Sequence, residues 1–273
     1  MTIKDIENLI TIYNKGLKTY KEMCDHILKQ DTKINNELFL LLLAVSDSME
    51  SLAILSSFNK TRDCYVTSRV IYETTLNILL ILSTDFESME EMIKYTQNEV
   101  EQEPSRSITT DSEAVFFAFD GIKHTVGFTK NNPFKVRNPP TWTKHKIPNR
   151  INLIDKKYGK VVSRSLQIAH LTIYRTSSNI AHGTLYGMMR AMGLIHGKTI
   201  KDLTADNMIE HGFQTIAILL LTILQSVYGL VYALDKELKL KKSEKTFYNS
   251  LEEFIKVSKQ LLPNKYEETN NLP

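Results

Sequence analysis

The sequence predicts an all-α fold, and three observations lead there. Glycine is scarce, with ten in 273 residues. Four of the seven prolines (Pro133, Pro139, Pro140 and Pro148) crowd into one short stretch, which leaves long proline-free tracts on both sides. Within those tracts apolar residues return every three or four positions, and no polar/apolar alternation persists. Such punctuation describes helices interrupted by one irregular insert, placed at 104–148 within a single helical domain spanning 1–273.

Taken in order, Ile6, Leu9, Ile10, Tyr13, Leu17, Tyr20 and Ile27 give a helix over 3–29, because they share one face at a 3.6-residue period. A second helix over 35–58 carries Leu38 to Val45, then Met49, Leu52 and Leu55. Thr61 or Asp63 can cap a third, running over 61–83. Glu87 to Gln102 reads as an acidic surface helix ending near Pro104. Thr109, Thr110 or Asp111 would then cap a short aromatic helix holding Phe116, Phe117 and Phe119. After the insert, helices are expected at 149–157, 160–190, 205–238 and 243–262, with those of 205–262 packed on the bundle.

Gly212 to Leu234 carries no charge and is long enough to cross a bilayer. Gln214, Thr215, Thr222, Gln225 and Ser226 would sit poorly in lipid, whereas the central helix of a bundle is apolar nearly all round. The expectation is a buried helix and no membrane partner. Met1 to Asp5 shows neither a basic n-region nor an apolar h-region, so a cytoplasmic protein is expected. Cys24 and Cys64 belong to no Cys-x-x-Cys pair or metal-ligand pattern, which fits buried free thiols.

Net charge is +3, but it conceals an asymmetry. Between Gly121 and Arg164 eleven Lys or Arg face a single acid, Asp155, while from Asp85 to Glu103 seven acids face only Lys94. The basic stretch interleaves Phe128, Phe134, Trp142 and Tyr158. Cations grip phosphates and aromatic rings stack unpaired bases, so RNA is the expected ligand, with Lys144, Lys146, Arg150 and Trp142 as binding residues. The alternative for this stretch is a solvated basic face whose aromatics anchor the loop. No Gly-rich phosphate loop and no zinc-helix pattern occurs, so no cofactor and no metal are expected.

The segment Tyr174-Arg175-Thr176-Ser177-Ser178-Asn179-Ile180-Ala181-His182 places an arginine and a histidine seven residues apart on a helix. Seven steps of about 100° return to nearly the same face, so Arg175, Ser178 and His182 form one polar stripe. At that angle His170 falls about 120° off it and should face elsewhere. An arginine that holds a phosphate and an imidazole that moves a proton make a minimal kit for cutting RNA without metal. A solvated face or a buried polar clamp gives the same pattern. Upstream, Arg69 and Glu73 stand i and i+4 on a helix with apolar neighbours and can form an ion pair. That pair either clamps two helices as a structural polar network, or lets Glu73 orient the His182 imidazole.

The stripe resembles the Arg-x(4–6)-His signature of the HEPN superfamily (higher eukaryotes and prokaryotes nucleotide-binding), with Thr176 as the polar residue after the arginine. Over roughly residues 38 to 190, with Arg69-Val70-Ile71-Tyr72-Glu73 on an early helix and Tyr174 through His182 on a later one, the chain is also similar to uncharacterised bacterial helical proteins of the abortive-infection or defence type. The resemblance implies a HEPN-like helical bundle and a ribonuclease of a phage-defence or toxin–antitoxin system. It implies catalytic roles for Arg175, His182, Ser178 and Glu73, a homodimer, and a possible partner protein. The alternative is a non-catalytic helical sensor, antitoxin-like partner or scaffold subunit.

Overall fold

Helix caps fix where the chain turns regular in this computed structural model. It describes residues 1–29, 34–102, 105–110, 113–119, 124–130, 142–194, 201, 204–240 and 243–262. The elements are α1 (Ile3–Lys29), α2 (Asn36–Ser57), α3 (Thr61–Ser83), α4 (Glu87–Gln102), β1 (Ser105–Thr109), β2 (Ala114–Phe119), β3 (His124–Thr129) and α5 (Ile147–Tyr158). These are followed by α6 (Lys160–Ala169), a π-turn (His170–Tyr174), α7 (Arg175–Ala181), α8 (Leu185–Ala191), α9 (Ala205–Leu238) and α10 (Ser243–Leu261). The chain is mostly helical, as expected.

At the start of α1, the Thr2 amide donates to Asp5 Oδ2 at 2.8 Å and the Asp5 amide donates to Thr2 Oγ1 at 3.2 Å. This reciprocal capping satisfies two amides that a helix start otherwise leaves open. Asn35 caps α2 by accepting from the Leu38 amide, and Thr204 caps α9 by accepting from the Asn207 amide.

Two compact units emerge, one of 1–83 with 150–273 and one of 84–149. In the first, α9 is the hub, packed by α1, α3, α6 and α10. Its Ile216, Leu220, Ile223, Leu224, Val227, Leu230 and Leu234 are all fully buried. Each such side chain contributes about 1.5–3 kcal/mol relative to exposure. Among the described residues α2 and α9 are long and apolar enough to cross a membrane, with 72% of the most apolar window of α9 buried and 39% of that of α2. Protein thus covers the charge-free stretch of α9 on most sides.

The second unit corrects the expectation of an aromatic helix and of no strands. Phe116 and Phe117 lie on β2, the middle strand of an antiparallel sheet ordered β1-β2-β3. In Ala114-Val115-Phe116-Phe117-Ala118-Phe119 both alternating positions are apolar, so the period of two that betrays a half-buried strand is missing. Phe116 faces Gly127 across the β2/β3 ladder, and its ring occupies the space a Cβ at Gly127 would need. That pairing of an aromatic ring over a strand glycine stabilises the register.

The helix expected over 160–190 is in fact broken twice. The π-turn interrupts it at His170–Tyr174, and it ends at Ala181 with His182 as its C-cap. Gly183 follows at φ 64°, its amide donating to Ile180 O at 3.0 Å, and the Thr184 amide donates to Asn179 O at 3.1 Å. These two bonds are a Schellman closure, which requires a left-handed residue where glycine stands.

Candidate functional site

The site is built on one rod, α6 through α7, where it packs against α3. Arg175 opens α7 and His182 closes it, and both side chains are exposed with Ser178 half-buried between them. Two helical turns separate them, roughly 10 Å along the axis. No hydrogen bond engages either side chain among the described residues. Behind them α7 is braced from within: Ser177 Oγ donates to Ile173 O at 2.7 Å, and Asn179 Nδ2 donates to Arg175 O at 3.0 Å. Thr184 Oγ1 donates to Asn179 O at 3.0 Å while capping α8 through the Gly187 amide.

The π-turn changes which residues share that face. A π-turn holds one extra residue, so the twelve steps from His170 to His182 rotate as about eleven, or roughly 1100°, close to three whole turns. His170 therefore swings back toward the Arg175 and His182 side, not away from it as regular helical geometry requires. Its ring stacks on Tyr174, centroids 4.9 Å apart and planes 26° apart. Tyr72, buried on α3, lies 3.3 Å from His170 Nδ1 through its hydroxyl and meets Tyr174 edge-on at 6.3 Å.

Arg69 and Glu73 do pair, with Nε to Oε1 at 3.2 Å. The Arg69 guanidinium also lies over the Tyr174 ring, 4.8 Å from its centroid. The pair thus grips the π-turn of the second helix. Glu73 is not joined to His182, since its carboxylate is engaged by Arg69; the expected orienting hydrogen bond is absent among the described residues.

Arg150 stands apart from the other basic residues with which it was grouped. It lies on α5 in the first unit, half-buried, with Nη1 donating to Asn77 Oδ1 of α3 at 2.9 Å. It is within electrostatic reach of Tyr72, Glu73 and Tyr174. Lys144, Lys146 and Trp142 belong to the 84–149 unit. Lys144 is exposed and 4.0 Å from Glu91 of the acidic helix α4, Lys146 is exposed, and Trp142 is half-buried. Phe128 is exposed, while Phe134 lies outside the described residues. Tyr158 is buried, its hydroxyl donating to Glu237 Oε1 at 2.9 Å, so it is unable to stack a base.

Burial and then the charge of Arg175 lower the pKa of His170 from its ordinary value, favouring a neutral ring. Burial, reinforced by Glu73, pushes the Tyr72 hydroxyl well above the usual tyrosine range, so it keeps its proton. No cluster of His, Cys, Asp or Glu suited to a metal ion occurs among the described residues. The geometry places an exposed imidazole and an exposed guanidinium on one helix.

No family model, curated protein or solved structure matches this chain. The site rests on its own geometry. Tyr72, Asn77, His170 and Tyr174 were not among the residues singled out for function. Tyr72 and Tyr174 did lie inside the two quoted motifs, but nothing in the sequence announces a π-turn.

Proposed function

We propose that this chain is a metal-independent endoribonuclease of the HEPN type, serving a bacterial phage-defence or toxin–antitoxin system. The observation that supports this reading is the exposure of Arg175 and His182 on one face of α7, with neither side chain committed to a hydrogen bond among the described residues. A histidine open to solvent is free to reach a bound substrate for proton transfer, whereas a register-fixing residue is satisfied internally. In the proposed reaction the 2′-oxygen of RNA bonds to its adjacent phosphorus as the bond to the 5′-oxygen breaks. In this reading His182 moves the proton from the first oxygen to the second. Arg175 stabilises the charge that develops on the phosphoryl oxygens. The products are a 2′,3′-cyclic phosphate and a 5′-hydroxyl.

Exposed Ile168 and Leu171 on the same rod, with Leu185 and Tyr186 on α8, supply apolar surface for a symmetric homodimer. The test is incubation of purified protein with total RNA in the presence of EDTA. Cleavage that is lost in His182→Ala and Arg175→Ala supports the nuclease, and absence of cleavage by the wild-type chain overturns it. A second reading, a non-catalytic sensor or scaffold, draws support from the interlocked Arg69, Glu73, Tyr174, His170 and Tyr72 group, which ties α3 to the π-turn. That reading predicts a folded, inert protein in the same assay.

A further inference from the structure

We propose that Tyr174 is a positioning residue: its ring, gripped by Arg69 and stacked on His170, fixes the π-turn and thereby the face on which α7 presents Arg175 and His182. The proposal deepens the reading of those two side chains as the catalytic pair and rests on it.

The place of the ring is the first argument. Tyr174 is the last residue of the π-turn and Arg175 the first of α7, so whatever holds Tyr174 sets the orientation from which α7 starts. Among the described residues three groups meet this half-buried ring. The Arg69 guanidinium lies 4.8 Å from its centroid, the His170 ring stacks at 4.9 Å with planes 26° apart, and Tyr72 meets it edge-on at 6.3 Å. Arg69 and Tyr72 belong to α3, so these contacts join one helix to another. A cation over a ring and an edge-to-face pair both depend on ring orientation, and an aliphatic side chain in the same space offers neither. The Tyr174 hydroxyl makes no hydrogen bond among the described residues, which leaves the ring to do the holding.

The weakness of the alternatives is the second argument. A helix takes its rotational setting from the apolar stripe it buries, and α7, seven residues long, buries Thr176, Ser177 and Ile180. Two of those three are short and polar. Ser177 Oγ donates to Ile173 O at 2.7 Å and to Tyr174 O at 3.1 Å, covering both carbonyls where the spacing returns from five residues to four. Those bonds turn with the helix. The contacts of Tyr174 with α3 do not, so they can fix an angle.

The size of the effect follows from helix geometry. Without the extra residue of the π-turn, α7 turns by one residue, about 100°, which carries an atom 5 Å from the axis through roughly 8 Å.

The experiment compares wild type, Tyr174→Leu and Tyr174→Phe in the full chain. One nitroxide label sits on Ala181→Cys of α7, and the second on Val70→Cys of α3 or on Glu252→Cys of α10, all exposed positions; the natural thiols of Cys24 and Cys64 are buried. Pulsed electron paramagnetic resonance reads the two distances, so a motion tangential to one reference shows in the other. Tyr174→Leu is expected to shift at least one distance by several ångströms, and to lower kcat for RNA cleavage on the order of 10²-fold with KM little changed. Tyr174→Phe is expected to match wild type in both. Unmoved distances in Tyr174→Leu overturn the proposal, and so does an equal displacement in Tyr174→Phe, which assigns the hold to the hydroxyl. If Tyr174→Leu does not fold, Arg69→Gln decides, since it removes the cation and leaves the ring: a shifted or broadened distance distribution supports the clamp, and an unchanged one overturns it. A wild-type chain that cuts no RNA sinks the nuclease reading alone, because the distances are measured without RNA.

Discussion

Replacing Gly187 by alanine tests how α8 holds the helix that carries His182. A Cβ at Gly187 stands 2.5 Å from the carbonyl carbon and oxygen of Asn179 and 2.6 Å from the Ile180 nitrogen. Ordinary contact between such atoms begins near 3.5 Å, so α8 has to withdraw by about 1 Å. The obstructing atoms are backbone and cannot swing aside. Withdrawal strains the bond from Thr184 Oγ1 to Asn179 O at 3.0 Å and the backbone bond from the Thr184 amide to the same oxygen at 3.1 Å. Overpacking of this kind costs about 1–3 kcal/mol. In a chain of this size each kcal/mol lowers the melting temperature by about 2–4 °C, so circular dichroism melts of Gly187→Ala and wild type are expected to differ by several degrees. If the proposed nuclease reading holds, a 1 Å displacement of His182 is also expected to cost on the order of 10²-fold in RNA cleavage, with the Arg175 and His182 side chains themselves intact. A variant that melts and cleaves like wild type would refute the argument that α8 positions α7.

Other expectations follow from burial and charge. Leu220→Ala removes a fully buried side chain of α9 and should cost about 2–5 kcal/mol in urea titration; a loss under 1 kcal/mol would contradict the hub role of that helix. Burial pushes the thiols of Cys24 and Cys64 up to about 12 and about 11, so at neutral pH both should resist Ellman's reagent until the chain unfolds. Rapid native labelling of either thiol would contradict their burial. His170 is depressed in the folded state by burial and by Arg175, with Tyr72 and Tyr174 also against it. The unfolded chain therefore takes up the proton first as pH falls through about 6.5, and stability present above that value is lost below it. His170→Phe should flatten the fall in melting temperature between pH 7.5 and 5.5; superimposable profiles would count against the depressed imidazole.

The helical frame was legible because long periodic stretches announce themselves. The helices read over 3–29 and 61–83 match α1 and α3. Three things were not legible, each for a physical reason. β2 buries or half-buries residues at both alternating positions, so it reads as a plain apolar run. Arg150 sits within a basic stretch, and charge counting cannot reveal that Asn77 holds it against α3. The π-turn depends on contacts of α3 with Tyr174 and His170 from nearly a hundred residues away, which no local window contains.

A π-turn works as a phase shift in an otherwise uniform rod. Upstream of His170, side chains of α6 keep step with α9, where Val162, Leu166 and Ala169 are buried. Downstream, α7 buries Thr176, Ser177 and Ile180 on a face set by a different count. One surplus residue lets the two halves serve separate neighbours, α9 and α3, without a bend from proline or a flexible break. The angular setting of Arg175 and His182 is thereby tied to the grip of Tyr72 and Arg69 on the turn. Loosening that grip would let the rod slip toward the regular helical count and carry both side chains around its axis by roughly 100°.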